Sequence, residues 1–328
     1  MAKRTLMEQL DQVVQTLLVR PDTELVSVDA ELRPLLQVAA GLRGLPSENF
    51  KAQLKAALEG RAKMTTATET SATGAFIREG FHTITPYIAV REVHQVIEFM
   101  KQTFGAEGTV LGIGSAGGIH GEYKIGDSMV MIGGGTEAKI TPMPNSLHVY
   151  VKDVDAAYER AVQAGATTLM APGDKFYGDR DASVQDVAGN HWYIGTHKAS
   201  GHAPEGLRSV TPYLHPKGAS EAIDFLKRAF GAEEVARHAS PEGVIQHATM
   251  RIGDSMIEMG EAHGQFQPMS SMFYLYVENA DQWYQRALDA GAASLAPPAD
   301  QPYGDRVAGV TDPFGNQWFM ATHLAEKS

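Results

Sequence analysis

The sequence predicts an α+β fold of four βαβββ modules behind an all-helical N-terminal extension. Three observations carry that prediction. The second half of the chain repeats the first at a nearly constant offset of 126 residues: Thr85-Pro86-Tyr87 returns as Thr211-Pro212-Tyr213, Phe104-Gly105-Ala106-Glu107 as Phe230-Gly231-Ala232-Glu233, and Tyr177-Gly178-Asp179-Arg180 as Tyr303-Gly304-Asp305-Arg306. Only the turn Ile125-Gly126-Asp127-Ser128 recurs at an offset of 127, as Ile252-Gly253-Asp254-Ser255, a slip of the size a hairpin loop absorbs. Each copy is itself double, with modules starting near Phe81, Ser146, Val210 and Met272. The first 64 residues share nothing with the repeat and carry apolar residues at helical spacing.

Taken in order, Leu6, Leu10, Val13 and Leu17 form one helical stripe, Leu32, Leu35, Leu36 and Ala39 a second, and Phe50, Leu54 and Leu58 a third after Pro46-Ser47, where Ser47 can cap. Such stripes must be buried, either on the repeat domains or in a homodimer or partner contact through residues 1–64. Residues 65–78 read as a linker, since Thr65 to Ala75 (TTATETSATGA) is small and polar. A first domain then spans 79–198, with modules 81–140 and 144–198. After a linker at 199–208, a second spans 209–328, with modules 210–266 and 270–325. Within each module a strand pattern (His82 to Val90; Ser146 to Val151) leads into a helix (Val93, Val96, Ile97, Met100; Ala157, Ala161, Val162) that stops at Gly105 or Gly165, and three short strands follow.

Composition narrows the function. The 328 residues include 28 Lys or Arg against 39 Asp or Glu, a formal charge of −11 with no basic cluster, which argues against nucleic acid as a partner. There is no cysteine, so thiolate chemistry, disulfides and Cys-based metal sites are excluded and any metal must sit among His and carboxylates. No apolar run approaches the roughly 18 residues of a membrane span, and the N-terminal residues have no apolar core, so a soluble, cytoplasmic protein that does not engage the membrane is expected. Gly112 to Gly118 (GIGSAGG) lies between two strands and opens no helix, so it is not a phosphate loop.

Tandem βαβββ modules with the signatures TPY, FGAE, IGDS, YGDR and D-x-x-G-N-x-W resemble the vicinal oxygen chelate superfamily, the glyoxalase, bleomycin-resistance and extradiol-dioxygenase group, and most of all its PhnB-like branch. The resemblance covers Phe81 to Leu324. It implies that two modules close into a cupped sheet around a cavity, so that the chain forms two cupped-sheet domains. It also implies a divalent metal held by the first and last strands of each module. Mapped onto this sequence, those positions are Thr85, Ser146, Thr211 and Met272 on first strands and Met131, Tyr193, Glu258 and Phe319 on last strands. Only Glu258 is a usual ligand, so no cofactor is expected. Pairing the first module with the second, or with the fourth, leaves this conclusion unchanged.

Strand alternation names the other inward side chains. They include Tyr87, His120, Glu122, His148 and His191 in the first half and Tyr213, His215, Tyr274 and His247 in the second. The tyrosines, with Tyr193 and Phe319, suit a small and aromatic ligand. Trp192 and Trp318 have the opposite parity and should pack on helices. The YGDR segments and Asp186 and Asp312 read as turns with local ion pairs.

Three functions remain. The first is a protein that binds a small, aromatic molecule through Thr85, Tyr87, His120, Glu122, His148, His191, Tyr193, Thr211, Tyr213, Tyr274 and Phe319 without the family's metal. The second is an enzyme of lyase, isomerase or dioxygenase type in which Glu258, His247 and His215 act as acid and base or hold a relocated divalent ion (Zn, Mn, Fe or Ni). The third is a scaffold or regulatory protein that works through the N-terminal helices.

Overall fold

The computed structural model describes residues 76–114, 117–175, 178–264 and 266–324, all within a compact unit spanning Ala72–Ser328. The helices expected before residue 64 lie outside the described residues. The four modules are each one helix and four strands. The first holds β1 (Ile84–Val90), α1 (Val93–Phe104), β2 (Glu107–Ile113), β3 (Ile119–Ile125) and β4 (Ser128–Gly134). The second holds β5 (Ser146–Tyr150), α2 (Val154–Gln163), β6 (Thr167–Asp174), β7 (Asp179–Gln185) and β8 (His191–His197). The third holds β9 (Val210–Leu214), α3 (Ala219–Phe230), β10 (Glu233–Ala239), β11 (Ile245–Ile252) and β12 (Ser255–Met259). The fourth holds β13 (Met272–Tyr276), α4 (Ala280–Asp289), β14 (Ala293–Asp300), β15 (Asp305–Thr311) and β16 (Gln317–His323).

Local chemistry sets the helix ends. Asp153 and Asn279 cap α2 and α4 by accepting from the backbone N–H groups of Ala156 and Gln282, each at 3.0 Å. At the start of α3 the Glu261 carboxylate takes that role, accepting from Gly218 and Ala219 at 2.8 and 2.7 Å. Helices α1 and α3 stop at Gly105 and Gly231 in the left-handed region, with φ of 68° and 64°.

The modules combine in a way that alternation alone does not dictate. One eight-stranded sheet has the order β14-β15-β16-β13-β1-β4-β3-β2 and joins the first module to the fourth; the other, β10-β11-β12-β9-β5-β8-β7-β6, joins the second to the third. The seams are antiparallel, β1 on β13 (Thr85 opposite Tyr274) and β5 on β9 (His148 opposite Thr211). The helix-side cores follow sequence instead. Ile88, Met100, Ile132, Leu147, Trp192 and Ile194 belong to one, and Phe225, Phe230, Ile257, Phe273, Trp318 and Met320 to the other. Trp192 and Trp318 lie in those cores, against Phe99 and Phe104 and against Phe230 and Phe273, as their parity requires.

The repeated IGDS turns lock the crossing. Asp127 accepts from the Ser209 backbone N–H at 2.8 Å and Ser128 Oγ from that of Val210 at 3.0 Å; in exchange Asp254 accepts from Thr83 at 2.8 Å and Ser255 Oγ from Ile84 at 3.0 Å. The glycine of each turn is required by contact. A Cβ on Gly126 would come within 2.1 Å of Ser209 Oγ, and one on Gly253 within 2.3 Å of Thr83 Oγ1. Asp186 and Asp312, expected in turns, are buried anchors: each accepts from the indole N–H of its module's tryptophan and the side-chain amide of its asparagine, at 2.8–2.9 Å. The arginines of the YGDR segments are half-buried and tie strand to helix, Arg180 to Asp155 and Arg306 to Asp281.

Candidate functional site

The sheet pairing redistributes the residues that line each concave face. Grouped by sequence half, His120, Glu122, His148 and His191 would share one cup and His215, His247 and Glu258 the other. Because β5 pairs with β9 and β1 with β13, the β1–β13 cup holds Thr85, Tyr87, His120, Glu122, Tyr274 and Phe319. The β5–β9 cup holds His148, His191, Tyr193, Thr211, Tyr213, His215, His247 and Glu258.

In the β5–β9 cup, Glu258 is 3% exposed and His148 8%. His148 Nδ1 lies 3.0 Å from Glu258 Oε2, and His247 Nε2 3.6 Å from Glu258 Oε1. His247 also shares hydrogen bonds with Tyr213 Oη at 3.4 Å and Thr249 Oγ1 at 3.2 Å. His215 pairs with Tyr193 Oη at 2.7 Å, and Phe266 stacks on its ring with centroids 5.4 Å apart. The acid–base pair at Glu258 is therefore made by His148 and His247, with His215 in an aromatic cluster beside it. Sequence reading missed His148 as the partner because it lies 110 residues away in the other half.

The electrostatics divide these histidines. Burial opposes charge on His148, but Glu258, Asp181 and Asp179 outweigh it and raise its pKa, so an imidazolium–carboxylate pair is favoured. Burial lowers His191 and His247, and takes His215 down to about 4, with nearby histidines adding to the last. Those three are neutral at pH 7. Burial together with Glu258 pushes the Tyr150 and Tyr213 hydroxyls well above the ordinary phenol value, so they act as hydroxyls. His148 Nε2, His191 Nδ1 and His215 Nδ1 are buried without a hydrogen-bond partner.

Two further acids face this cup, and the sequence disguised one of them, Asp179, as a turn residue. Asp179, the aspartate of YGDR, is buried at the start of β7, 2.5 Å from His197 Nδ1 and 3.4 Å from Tyr150 Oη. Asp181 follows on the same strand face. The signal was the identical Asp305, which accepts from Tyr274 Oη at 2.8 Å and pairs with His323 at 2.7 Å.

The β1–β13 cup is furnished differently. Glu122 pairs with Arg78 and lies 3.5 Å from His120 Nε2, while His120 Nδ1 meets Tyr87 Oη at 3.0 Å. Burial opposes charge on Glu122, but His120 and Arg78 prevail and hold its carboxyl below the ordinary range; burial pushes Tyr87 up to about 12. Phe81, Met131, Tyr274, Tyr276, Val307 and Ala321 fill the concave face as a small apolar cluster, with Phe319 against it. Residues 76–78, which composition assigned to a linker, lie in this cup: Ile77 packs on the cluster, and Phe76 O accepts from His323 N at 2.9 Å.

Among the described residues, no three His, Asp or Glu side chains are arranged to hold a metal ion, the set Glu258, His215 and His247 included. None of the described helices is long and apolar enough to cross a membrane.

The chain matches the model of the Glyoxalase/Bleomycin resistance protein/Dioxygenase superfamily over residues 80–194 and 216–320. It is 33% identical over 129 residues to Mb0911c of Mycobacterium bovis, an alignment covering 36% of this chain and 85% of that protein, and equally identical to Rv0887c of Mycobacterium tuberculosis over 36% and 76%. Among solved structures it is similar to glyoxalase I from Zea mays (TM-score 0.57, 13% identity, 73% of this chain and 92% of that one). It is also similar to a putative dioxygenase from Bacillus subtilis (TM-score 0.51, 14% identity, 74% and 84%). Those identities speak to fold alone, and the fold agrees: two eight-stranded sheets, each built from two βαβββ modules. By sequence match and architecture together, the chain belongs to the glyoxalase, bleomycin-resistance and dioxygenase superfamily.

Proposed function

We propose that the β5–β9 cup binds a small molecule with an aromatic body, oriented by the His148–Glu258 pair, and does so without the family's divalent metal. One observation carries this reading: among the described residues the His148–Glu258 pair, with both partners buried, faces the concave side of that cup amid tyrosines and unpartnered imidazole nitrogens, whereas the Glu122 pairs of the other cup are partly exposed. A buried charge pair is a poor stabiliser compared with apolar packing, and the β1–β13 cup manages with Tyr274 and Met131 at the matching positions. Its retention in one cup supports a role in recognition. Tyr193, Tyr213, His215 and Phe266, with ring centroids 4.9–5.9 Å apart, supply flat walls.

The residues at the family's metal positions support the metal-free reading. In this cup they are Ser146, Tyr193, Thr211 and Glu258, one strong donor in four; in the other they are Thr85, Met131, Met272 and Phe319, with none. The motifs TPY, FGAE, IGDS and YGDR support the PhnB-like branch as the nearest, again as a proposal.

A melting screen of the full chain against small aromatic compounds, with and without Mn, Ni, Zn and Mg, tests the reading. Stabilisation by aromatic compounds that is independent of metal and lost in Glu258→Gln supports it. Stabilisation that requires a metal overturns it. An acid–base enzyme is the second reading, favoured by His247 Nε2 at 3.6 Å from Glu258, where a neutral imidazole adjoins a carboxylate.

A further inference from the structure

The two cups are pseudo-equivalent, and one of them already contains an occupant from the chain itself. The segment before β1 lays Phe81 on Tyr276 (centroids 5.7 Å apart), and Arg78 lies 4.0 Å over the Phe81 ring while pairing with Glu122. A cation carried on an aromatic body thus sits against a half-buried carboxylate. The segment before β9 follows the same path: His197 N donates to His202 O at 2.8 Å, as His323 N does to Phe76 O. At the offset of 126, however, Arg78 becomes Pro204 and Phe81 becomes Leu207. At those two positions the lead-in of the β5–β9 cup offers neither a cation nor a ring.

The carboxylate persists but moves one strand. In the β1–β13 cup Glu122 stands opposite Met131 across the β3–β4 pair; in the β5–β9 cup the matching residues are Thr249 and Glu258, opposite each other across β11–β12. The second cup adds Asp181 where the first has Val307 and keeps Asp179 in place of Asp305. Glu258 and Asp179 pair with the imidazoles of His148 and His197, and among the described residues no arginine or lysine pairs with either carboxylate. His215 Nδ1, on a buried residue of the same cup, is without a hydrogen-bond partner.

Resting on the binding function proposed above, we infer that the β5–β9 cup takes a ligand bearing a positive charge on an aromatic body, the chemistry that Arg78 and Phe81 present to the other cup. The carboxylates receive the cation, and Tyr193, Tyr213 and Phe266 receive the ring.

Three compounds of one shape separate charge from ring: benzamidine, benzamide and benzoate, titrated into the full chain and followed by ligand ring-proton shifts. Benzamidine is expected to bind about tenfold or more tightly than the other two, the size of one charge-assisted hydrogen bond, with the preference lost in Glu258→Gln. In Arg78→Ala, benzamidine but not benzamide should restore part of the melting temperature lost when the internal cation is removed. If benzamide or benzoate binds as tightly as benzamidine, aromatic binding stands and the cation inference falls. If none binds, both fall. Benzamidine preference unchanged in Glu258→Gln also overturns the assignment to this cup.

Discussion

His148 Nδ1 and Glu258 Oε2 lie 3.0 Å apart although the residues come from different halves of the repeat. Neither half contains the pair; it forms only because β5 lies against β9. Its counterparts in the other cup are Tyr274 and Met131, so the protein carries its own control for what the pair does.

Removing one partner should be far worse than replacing both. Glu258→Ala leaves a buried imidazolium and should destabilise by about 3 kcal/mol. The double change His148→Tyr with Glu258→Met copies the apolar cup and should recover most of that loss, because a tyrosine there can donate to Asp179 as Tyr274 does to Asp305. Urea unfolding of the single and double variants gives the coupling. Equal losses in Glu258→Ala and the double variant would refute it.

Stability should peak near pH 6.5. The His148 pKa is raised, so its contribution is complete below the unfolded value of about 6.5 and is lost as pH rises through the folded value. The His215 pKa falls to about 4, so its contribution is present above 6.5 and lost as pH falls toward 4, by up to about 3 kcal/mol. His215→Phe should flatten the acid limb and His148→Tyr the alkaline one, read from melting temperatures between pH 4 and 9.

Gly195→Ala should disturb the pair without touching its charges. A Cβ there would approach His148 Nε2 to 2.6 Å and Asp181 Oδ1 to 3.0 Å, so the imidazole must shift from its present position against Glu258. A loss of about 1–3 kcal/mol is expected, together with a change in the His148 ring-proton titration. The matching Ala321 belongs to the apolar cluster of the other cup, so Ala321→Gly should only open a small gap there.

Asp254→Ala should loosen the crossing between the cups. It removes acceptors for the Thr83 N–H and for His82, and its own pKa lies far below normal: burial would raise it, but these bonds prevail. A loss of about 1–3 kcal/mol is expected by denaturant unfolding, as for a buried donor left unpaired. No change would show that the IGDS exchange is incidental.

Module boundaries were legible because each is punctuated locally, by Gly105 and Gly231 at helix ends and by strand alternation that put Trp192 on the core side and Tyr193 in the cup. The choice between adjacent and crossed modules was not, because β1 offers the same alternation to β5 as to β13. Glu258 stood out in sequence as the odd residue against Met131, yet its partner needed that pairing. Arg78 escaped notice because it precedes the repeat, and Phe81, at its start, because position 207 holds leucine. Asp179 was hidden by Gly178, which makes its segment read as a turn although the strand begins at the aspartate itself.

The crossed order of the sheets also sets a schedule for synthesis. Every strand of the β5–β9 cup has been made once Met259 emerges, whereas Ile84 must wait for Leu275 and the closing edge for His323. At about 5–20 residues per second, β1 spends roughly 10–40 s as an unpaired edge on the ribosome. The polar cup can therefore fold first and serve as the template on which the apolar one shuts, and a nascent chain stalled after Met259 should already protect His148 and Glu258 while β1 remains open to proteolysis.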